Sequence, residues 1–418
     1  MISFEPSEDQ KSMQQAVAQF AKTALRPRMR EFERDRQISP AVRQTAHELG
    51  LGTVWLPESV GGPGLGLVTA VLLEEEVAYG DPAAAFGFGG PGAFGMAMLE
   101  LGSDAQRAEH LAPFTADAGH TTFGAVAWGE TKPVKDREGF ATTATKNGDG
   151  WVLDGEKAYV INADRAGVFV VFAQLIDAEA GWAALGAGWG GLGAFVVKKD
   201  QPGVTVTERS TTLGLDVASF GGIKLEGVVV KGADRLMGGS DFDAAVVRFF
   251  AKNALLIAAR GVGLCRAAFE ITREYCDTRR AFGKVIGHFQ AVAFTLADRA
   301  MDVDASRCLV VRAASAWDAG PDGGGKNWEK DALLHTANAI SFTHEAAMRC
   351  GDDGVQLHGG AGFIRDYAVE KLMRDAKQLQ LCGMTAEHAD QLAAAVELRR
   401  PITIGLVLPT PESQNAFV

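Results

Sequence analysis

Apolar residues recur at helical spacing through the first part of the chain. Between Ser7 and Leu25, the side chains of Met13, Val17, Phe20 and Ala24 fall on one face, Ser7 is placed as an N-cap, and acidic residues follow in the first turn. A second helix is predicted from Ser39 as cap, with Pro40 at its first position and Gly50 as its stop. The stretch "ESVGGPGLG" reads as a loop, and Leu67 to Tyr79 as a third helix ended by Gly80-Asp81-Pro82. From about Thr121 the period changes. "TTFGAVAW", "GWVLDGEKAYVI", "AGVFVVFAQL", "GAFVVKKD" and "GGIKLEGVVV" are β-rich, and Asn147-Gly148-Asp149-Gly150 is a hairpin-type turn. The glycine-rich run "GWAALGAGWGGLGAF" lies between two strands and reads as a flexible hairpin loop, because it lacks the strand-then-helix context of a phosphate-binding loop.

After about Gly239 the helical period returns in three long patterns: Phe242 to Phe282, His288 to Gly320 (stopped at Gly320-Pro321), and Lys326 to Gly360. Helices that are apolar on more than one side belong in a bundle core or a subunit interface. The expected division is a helical unit over 1–120, a β unit over 121–238, a helical bundle over 239–400, and a tail over 401–418 that forms an extended arm on the surface or across a neighbour. The fold class is α+β.

A chain of 418 residues suggests more than one packed unit, and 47% hydrophobic with 22% charged residues is ordinary for a folded protein. The net charge of -11 argues against non-specific nucleic-acid binding, yet leaves room for an anionic ligand held by a few local cations. No apolar run approaches the roughly 20 residues of a membrane span, and the polar start "MISFEPSEDQKSMQQ" has no secretory core. The five cysteines, Cys265, Cys276, Cys308, Cys350 and Cys382, are scattered and show no C-x-x-C spacing. That pattern is expected of reduced thiols in a cytoplasmic protein without a zinc or other metal site.

Two segments carry candidate chemistry: "YCDTRRAFGKVIGHFQ", Tyr275 to Gln290, and "QLHGGAGFIRDYAVEKLMRDAK", Gln356 to Lys377. Arg279 offers a planar, permanently charged fork suited to a pyrophosphate. Phe282 can pack on a flat ring, and Gln290 both donates and accepts, as a nucleotide edge requires. Gly359 and Gly360 let backbone approach a ligand closely.

With the helix–strand–helix layout, these motifs resemble the acyl-CoA dehydrogenase family over nearly the whole chain. The resemblance implies an N-terminal α-helical domain, a middle β-barrel-like domain and a C-terminal four-helix bundle. It also implies FAD as cofactor, an acyl thioester as substrate, an electron-transfer flavoprotein or oxygen as acceptor, and a homotetramer or dimer. By resemblance Arg279, Phe282 and Gln290 serve one flavin, while Gln356, Gly359 and Gly360 serve its ADP half from the neighbouring subunit. Glu130, Tyr159 and Thr385 are further cofactor positions in register.

The same resemblance exposes departures. The family's base is a Glu in a loop after the R-D-A helix; counting from Arg374-Asp375-Ala376, that seat falls on Gly383. A minority of members carry it before the Y-x-x-x-R motif, and that seat falls on Asn253. Neither residue is a carboxylate base, although the Gly383 N–H remains to polarise a thioester carbonyl. Lys135 stands where the family has a Ser that reaches the acyl-CoA, with Glu130 and Asp136 in register on either side. Tyr159-Val160-Ile161-Asn162 replaces a Trp-containing segment, and Ile161 cannot donate the hydrogen bond that the family sends towards the flavin. Cys382 adjoins the vacated seat and reads as a small buried residue or as a thiol base. Asp241 and Asp243 sit turns away on the same helix as Asn253, Glu387 matches a family position that is not the base, and Glu74, Glu75 and Glu76 read as structural or surface. The expected function is an acyl-CoA dehydrogenase-type flavoenzyme with altered proton handling. Its alternatives are a flavin-dependent lyase or oxygen-using enzyme on the same fold, or a non-catalytic partner subunit of a heteromeric dehydrogenase.

Overall fold

The computed structural model describes residues 5–132, 134, 139–176 and 191–408. The first helix, α1 (Glu8–Phe20), opens on Ser7 with a reciprocal capping box to Gln10. It continues through a π-turn at Ala21–Leu25 and a 3-10 turn at Arg26–Arg28 into α2 (Met29–Asp35). Then follow α3 (Pro40–Glu48), α4 (Gly66–Gly80), α5 (Gly92–Leu101) and α6 (Asp104–Thr115). Ser39 stands at the N-cap of α3, but its side chain makes no capping hydrogen bond there.

The strands are β1 (Gly124–Ala127), β2 (Thr143–Asn147), β3 (Gly150–Ile161), β4 (Val168–Ile176), β5 (Leu192–Lys198), β6 (Val204–Val206), β7 (Phe220–Val230) and β8 (Arg235–Leu236). They form one sheet in the order β6-β7-β3-β2-β4-β5-β8, with β1 parallel to β4. The turn predicted at Asn147 to Gly150 closes the β2–β3 hairpin, with those two residues paired across it. Most of the glycine-rich run between β4 and β5 lies outside the described residues.

Beyond the sheet come α7 (Phe242–Thr278), the small hairpin β9 (Arg280–Ala281) and β10 (Lys284–Val285), α8 (Gln290–Gly324), α9 (Trp328–His358), α10 (Val369–Leu379) and α11 (Ala386–Glu397). In α8 the regular helix breaks where Gly320-Pro321 predicts it: Gly320 leaves helical geometry at φ 54° and ψ -161°. The tail expectation needs correction for residues 401–408. Ile404, Val407 and Leu408 are buried against the main core, so this part is tucked in by its apolar side chains. Residues 409–418 lie outside the described residues.

α7, 37 residues and about 55 Å long, is the central strut. Gly263 lets it close on α4: a methyl group there would collide with the Glu75 carbonyl and the Tyr79 amide, both backbone. That approach meets a row of three carboxylates. Glu74 pairs with Arg260 at 2.8 Å, Glu75 with Arg266 and Arg307 at 2.7 Å each, and Glu76 with Arg266 at 2.5 Å. All three glutamates are buried, which decides between their two readings in favour of a structural role and against the surface. In an amphipathic pattern an acidic triplet looks solvated, and here the partners come from α7 and α8.

A second junction joins the three domains. Lys371 of α10 reaches Asp81 at 2.8 Å and Asp375 at 2.6 Å, all fully buried, and Asp375 also accepts from the Leu215 amide at 2.7 Å. Burial opposes the charge on Lys371, but attraction to Asp375 and Asp81 outweighs it and raises its pKa. Replacing Lys371 with Met leaves two buried carboxylates without a cation. The expected loss is about 3–5 kcal/mol, read as a lowered urea midpoint at pH 7.

His344 of α9 supplies a pH dependence. It is fully buried, neither ring nitrogen has a partner among the described residues, and burial pushes its pKa down to about 4. The unfolded chain binds this proton below about pH 6.5 while the folded one resists until about pH 4. The contribution is therefore complete above pH 6.5 and is lost as pH falls through that window, by about 3 kcal/mol at most. His344→Leu is expected to flatten the fall in urea midpoint between pH 7 and pH 4.5 relative to wild type.

Candidate active site

The three domains enclose a cavity of about 740 Å³. Its walls come from α4, from the segment around Phe86 to Gly90, from β1 and β3, from α7, and from the turn after α10. Gly383, Asn253 and Tyr159, three of the residues predicted from sequence, line it together.

Tyr159 reaches the cavity because β3 is irregular there. The pairing of β3 with β7 shifts register between Lys157 and Val160, and Tyr159 takes φ 57°. The residue is 65% exposed, away from the sheet core. Ile161 also lines the cavity, and Asn162 at φ 61° donates from its amide to the Phe86 carbonyl at 2.8 Å.

Asn253 sits on the face of α7 that also carries Leu256, Ile257 and Arg260 to the cavity, at helical spacing. The Gly383 turn packs against this face: a side chain at 383 would start 2.9 Å from Ile257 Cδ1. Gly383 has φ 71°, a left-handed conformation that favours glycine. Among the described residues its N–H donates to no hydrogen bond.

Cys382 is buried, and burial pushes its pKa up to about 12, with the charge of Arg260 acting weakly in the opposite sense. Its sulfur lies 3.5 Å from the Gln378 carbonyl. The thiol is therefore protonated at neutral pH and is no base. Asp241 accepts from the Ala244 amide at the start of α7, and neither it, Asp243 nor Glu387 lines the cavity. Among the described lining residues one carboxylate remains, Glu74, and one cation, Arg260. Sequence reading missed this pair as site residues. The helix spacing that puts Arg260 two turns beyond Asn253 was the available signal.

Glu130 is engaged within the chain. Its oxygens accept from the Ala141 amide at 2.8 Å, the Thr142 amide at 3.0 Å and Lys157 at 2.9 Å. Burial drives the Lys157 pKa down to about 8 against the attraction of Glu130. Burial acts to raise the Glu130 pKa, but Lys157 and the Thr142 amide prevail and hold it low. This pair anchors the strand end carrying Trp128 and Gly129, which line the cavity. Thr385 caps α11 by accepting from the His388 amide, and it does not line the cavity. Lys135 and Asp136 lie outside the described residues.

The remaining motif residues, Arg279, Phe282, Gln290, Gln356, Gly359 and Gly360, are all exposed, and none lines the cavity. Their two segments meet where α7 and α9 end: the Tyr275 ring stacks on His358 at 4.2 Å. Phe282 is 96% exposed at φ 50°, and added side chains at Gly359 and Gly360 would meet nothing within 4 Å. An open cation, a bare aromatic face and uncovered backbone fit a large, flat anionic cofactor such as FAD.

A helical domain, a β domain and a helical bundle around an apolar cavity define an acyl-CoA dehydrogenase fold. Family models described as the acyl-CoA dehydrogenase N-terminal, middle and C-terminal domains match residues 7–117, 125–228 and 242–396. A probable acyl-CoA dehydrogenase of Bacillus subtilis, YngJ, is 29% identical over 92% of this chain and 97% of its own length. The glutaryl-coenzyme A dehydrogenase in its glutaryl-CoA complex superposes with a TM-score of 0.83 at 27% identity, covering 96% of this chain and 98% of that one. Butyryl-CoA dehydrogenase from Megasphaera elsdenii gives 0.81 at 26% identity, covering 95% of this chain and all of that one. The chain belongs to the acyl-CoA dehydrogenase family, whose cofactor is FAD.

Positions 383 and 253 differ in how they tolerate a carboxylate. Gly383→Glu forces a side chain into left-handed backbone beside Ile257, and is expected to cost about 1–2 kcal/mol. Asn253→Glu lengthens a half-buried side chain on regular helix without backbone strain, so its cost is desolvation of the carboxylate in the cavity, which is expected to shrink below about 0.5 kcal/mol as the pH falls towards 5. Urea unfolding of the two variants checks the difference.

Proposed function

We propose that the protein is an FAD-dependent oxidoreductase of acyl-CoA dehydrogenase type that accepts an acyl thioester and handles its α-proton without a carboxylate at either family seat. The observation that carries this reading is the turn at Gly383, which lines the cavity without a side chain and whose N–H donates to no hydrogen bond among the described residues. Bound FAD supplies the two-electron acceptor for dehydrogenation between the α and β carbons.

The chain's own groups do the rest. The Gly383 N–H donates to the thioester carbonyl and stabilises the charge that develops there, a contribution of roughly a few kcal/mol. Tyr159 offers a ring face to a flat ligand. Arg279, Phe282 and Gln290 hold the cofactor from one subunit, and Gln356, Gly359 and Gly360 hold its ADP half from a neighbour. Their exposure, and that of the apolar Phe294, Met301 and Phe363 on the same helical domain, supports a homo-oligomer, a dimer or tetramer. Glu130 positions the Trp128–Gly129 segment through Lys157. The α-proton leaves to water or to a group of the substrate, because the Asn253 amide cannot take it, Cys382 stays protonated and both Glu74 oxygens are engaged by Arg260. An electron-transfer flavoprotein or oxygen then takes the electrons.

Purified protein is expected to be yellow and to release FAD on denaturation; a colourless protein that takes up no added FAD overturns the cofactor reading. Anaerobic mixing with acyl-CoAs is expected to bleach the flavin, slowly in wild type and about a hundredfold faster in Asn253→Glu. A wild type that already reduces at an unchanged rate in that variant has its base elsewhere. Leaving-group release or oxygen uptake without bleaching favours the lyase or oxygen-using alternative. Flavin that no acyl-CoA perturbs favours the partner-subunit alternative.

A further inference from the structure

The wall of the cavity carries a charge pair that the reaction above does not use. Arg260 donates from Nε and Nη2 to the two oxygens of Glu74, at 2.8 and 3.2 Å. Its third nitrogen, Nη1, donates to no described residue. The guanidinium lies 4.3 Å from the centre of the Phe86 ring, and both charged side chains are only 12% exposed, within the cavity lining. Arg260 is seven residues beyond Asn253 on the same face of α7, about 10 Å along the axis from the vacated base seat.

This arrangement selects among acyl groups. A plain alkyl chain filling the cavity shuts Nη1 off from solvent and offers no acceptor in return. A carboxylate on the chain would accept from Nη1, but Glu74 already neutralises the guanidinium, and the acid would add a net negative charge to an apolar space. A hydroxyl or carbonyl oxygen satisfies Nη1 and leaves the pair neutral. We propose that the Arg260–Glu74 pair makes the protein select acyl thioesters whose acyl chain bears a neutral oxygen group away from the thioester. This rests on the acyl-thioester reading given above.

The test uses the flavin-loaded full chain and three ligands of one length, hexanoyl-CoA, 6-hydroxyhexanoyl-CoA and adipyl-CoA, with the eight-carbon counterparts as a second series. Affinity is measured by calorimetry, independently of turnover. In at least one series the hydroxylated ligand is expected to bind roughly tenfold or more tightly than the alkyl and dicarboxylic ones. Arg260→Lys keeps a cation beside Glu74 but removes the spare nitrogen, and is expected to abolish that preference. The double variant Glu74→Leu/Arg260→Met removes both charges together and is expected to reverse it in favour of the alkyl chain. Equal or weaker binding of the hydroxylated ligand in both series overturns the proposal while leaving the acyl-thioester reading intact. So does a tenfold preference for the dicarboxylic ligand, or a preference that survives in Arg260→Lys. If none of the six thioesters binds, the acyl-thioester reading itself fails and this one falls with it.

Discussion

The close approach of α4 to α7 governs this molecule. It requires a residue without a side chain at Gly263, because the backbone of α4 occupies the place a Cβ would take. Once the helices are that near, the acidic row of α4 has no water to face and needs cations from α7 and α8. Arg260, Arg266 and Arg307 meet that need. Removing Arg260 or Arg266 would strand Glu74 or Glu76 in low dielectric, while Glu75 is held from both Arg266 and Arg307, so these pairs lock the register of α4 and α7. Register in turn decides which residues of α7 reach the cavity.

The cavity is a product of domain junctions, and ion pairs are set into their buried parts. Lys371 ties the N-terminal helices, the loop at Leu215 and the bundle into one contact. Arg374 adds a partly buried pairing to Glu33 and Glu370 beside it. Glu130 and Lys157 brace the rim on the sheet side. The space between is lined mainly by apolar side chains, so the few polar groups that do face it stand out against a low dielectric, where an unpaired donor is costly and a well-placed one is strong.

Much of this was legible in the sequence. Periodicity located the long helices, the hairpin at Asn147 to Gly150 and the break at Gly320, because each rests on local backbone preference. Motif register led to Gly383 and Asn253, and both line the cavity. What stayed hidden was long-range. Glu74 and Arg260 are separated by 186 residues, and nothing local distinguishes a triplet of buried glutamates from a solvated one. Ile404, Val407 and Leu408 looked like part of a loose tail, since burial against α7 and α11 leaves no periodic trace in so short a segment. The exposed group around Arg279 and Gln356 could be named from the motifs, yet a single chain does not bring it to the cavity.

The left-handed backbone at Gly383 bears on how the protein can change. A loop of ordinary right-handed or extended backbone would take a carboxylate by a single substitution. Here the left-handed turn disfavours any side chain, so a carboxylate placed at 383 starts with a backbone penalty that only a second change in the loop would relieve. The helical seat on α7 carries no such penalty. A carboxylate is therefore more readily added to the cavity from α7 than from this turn.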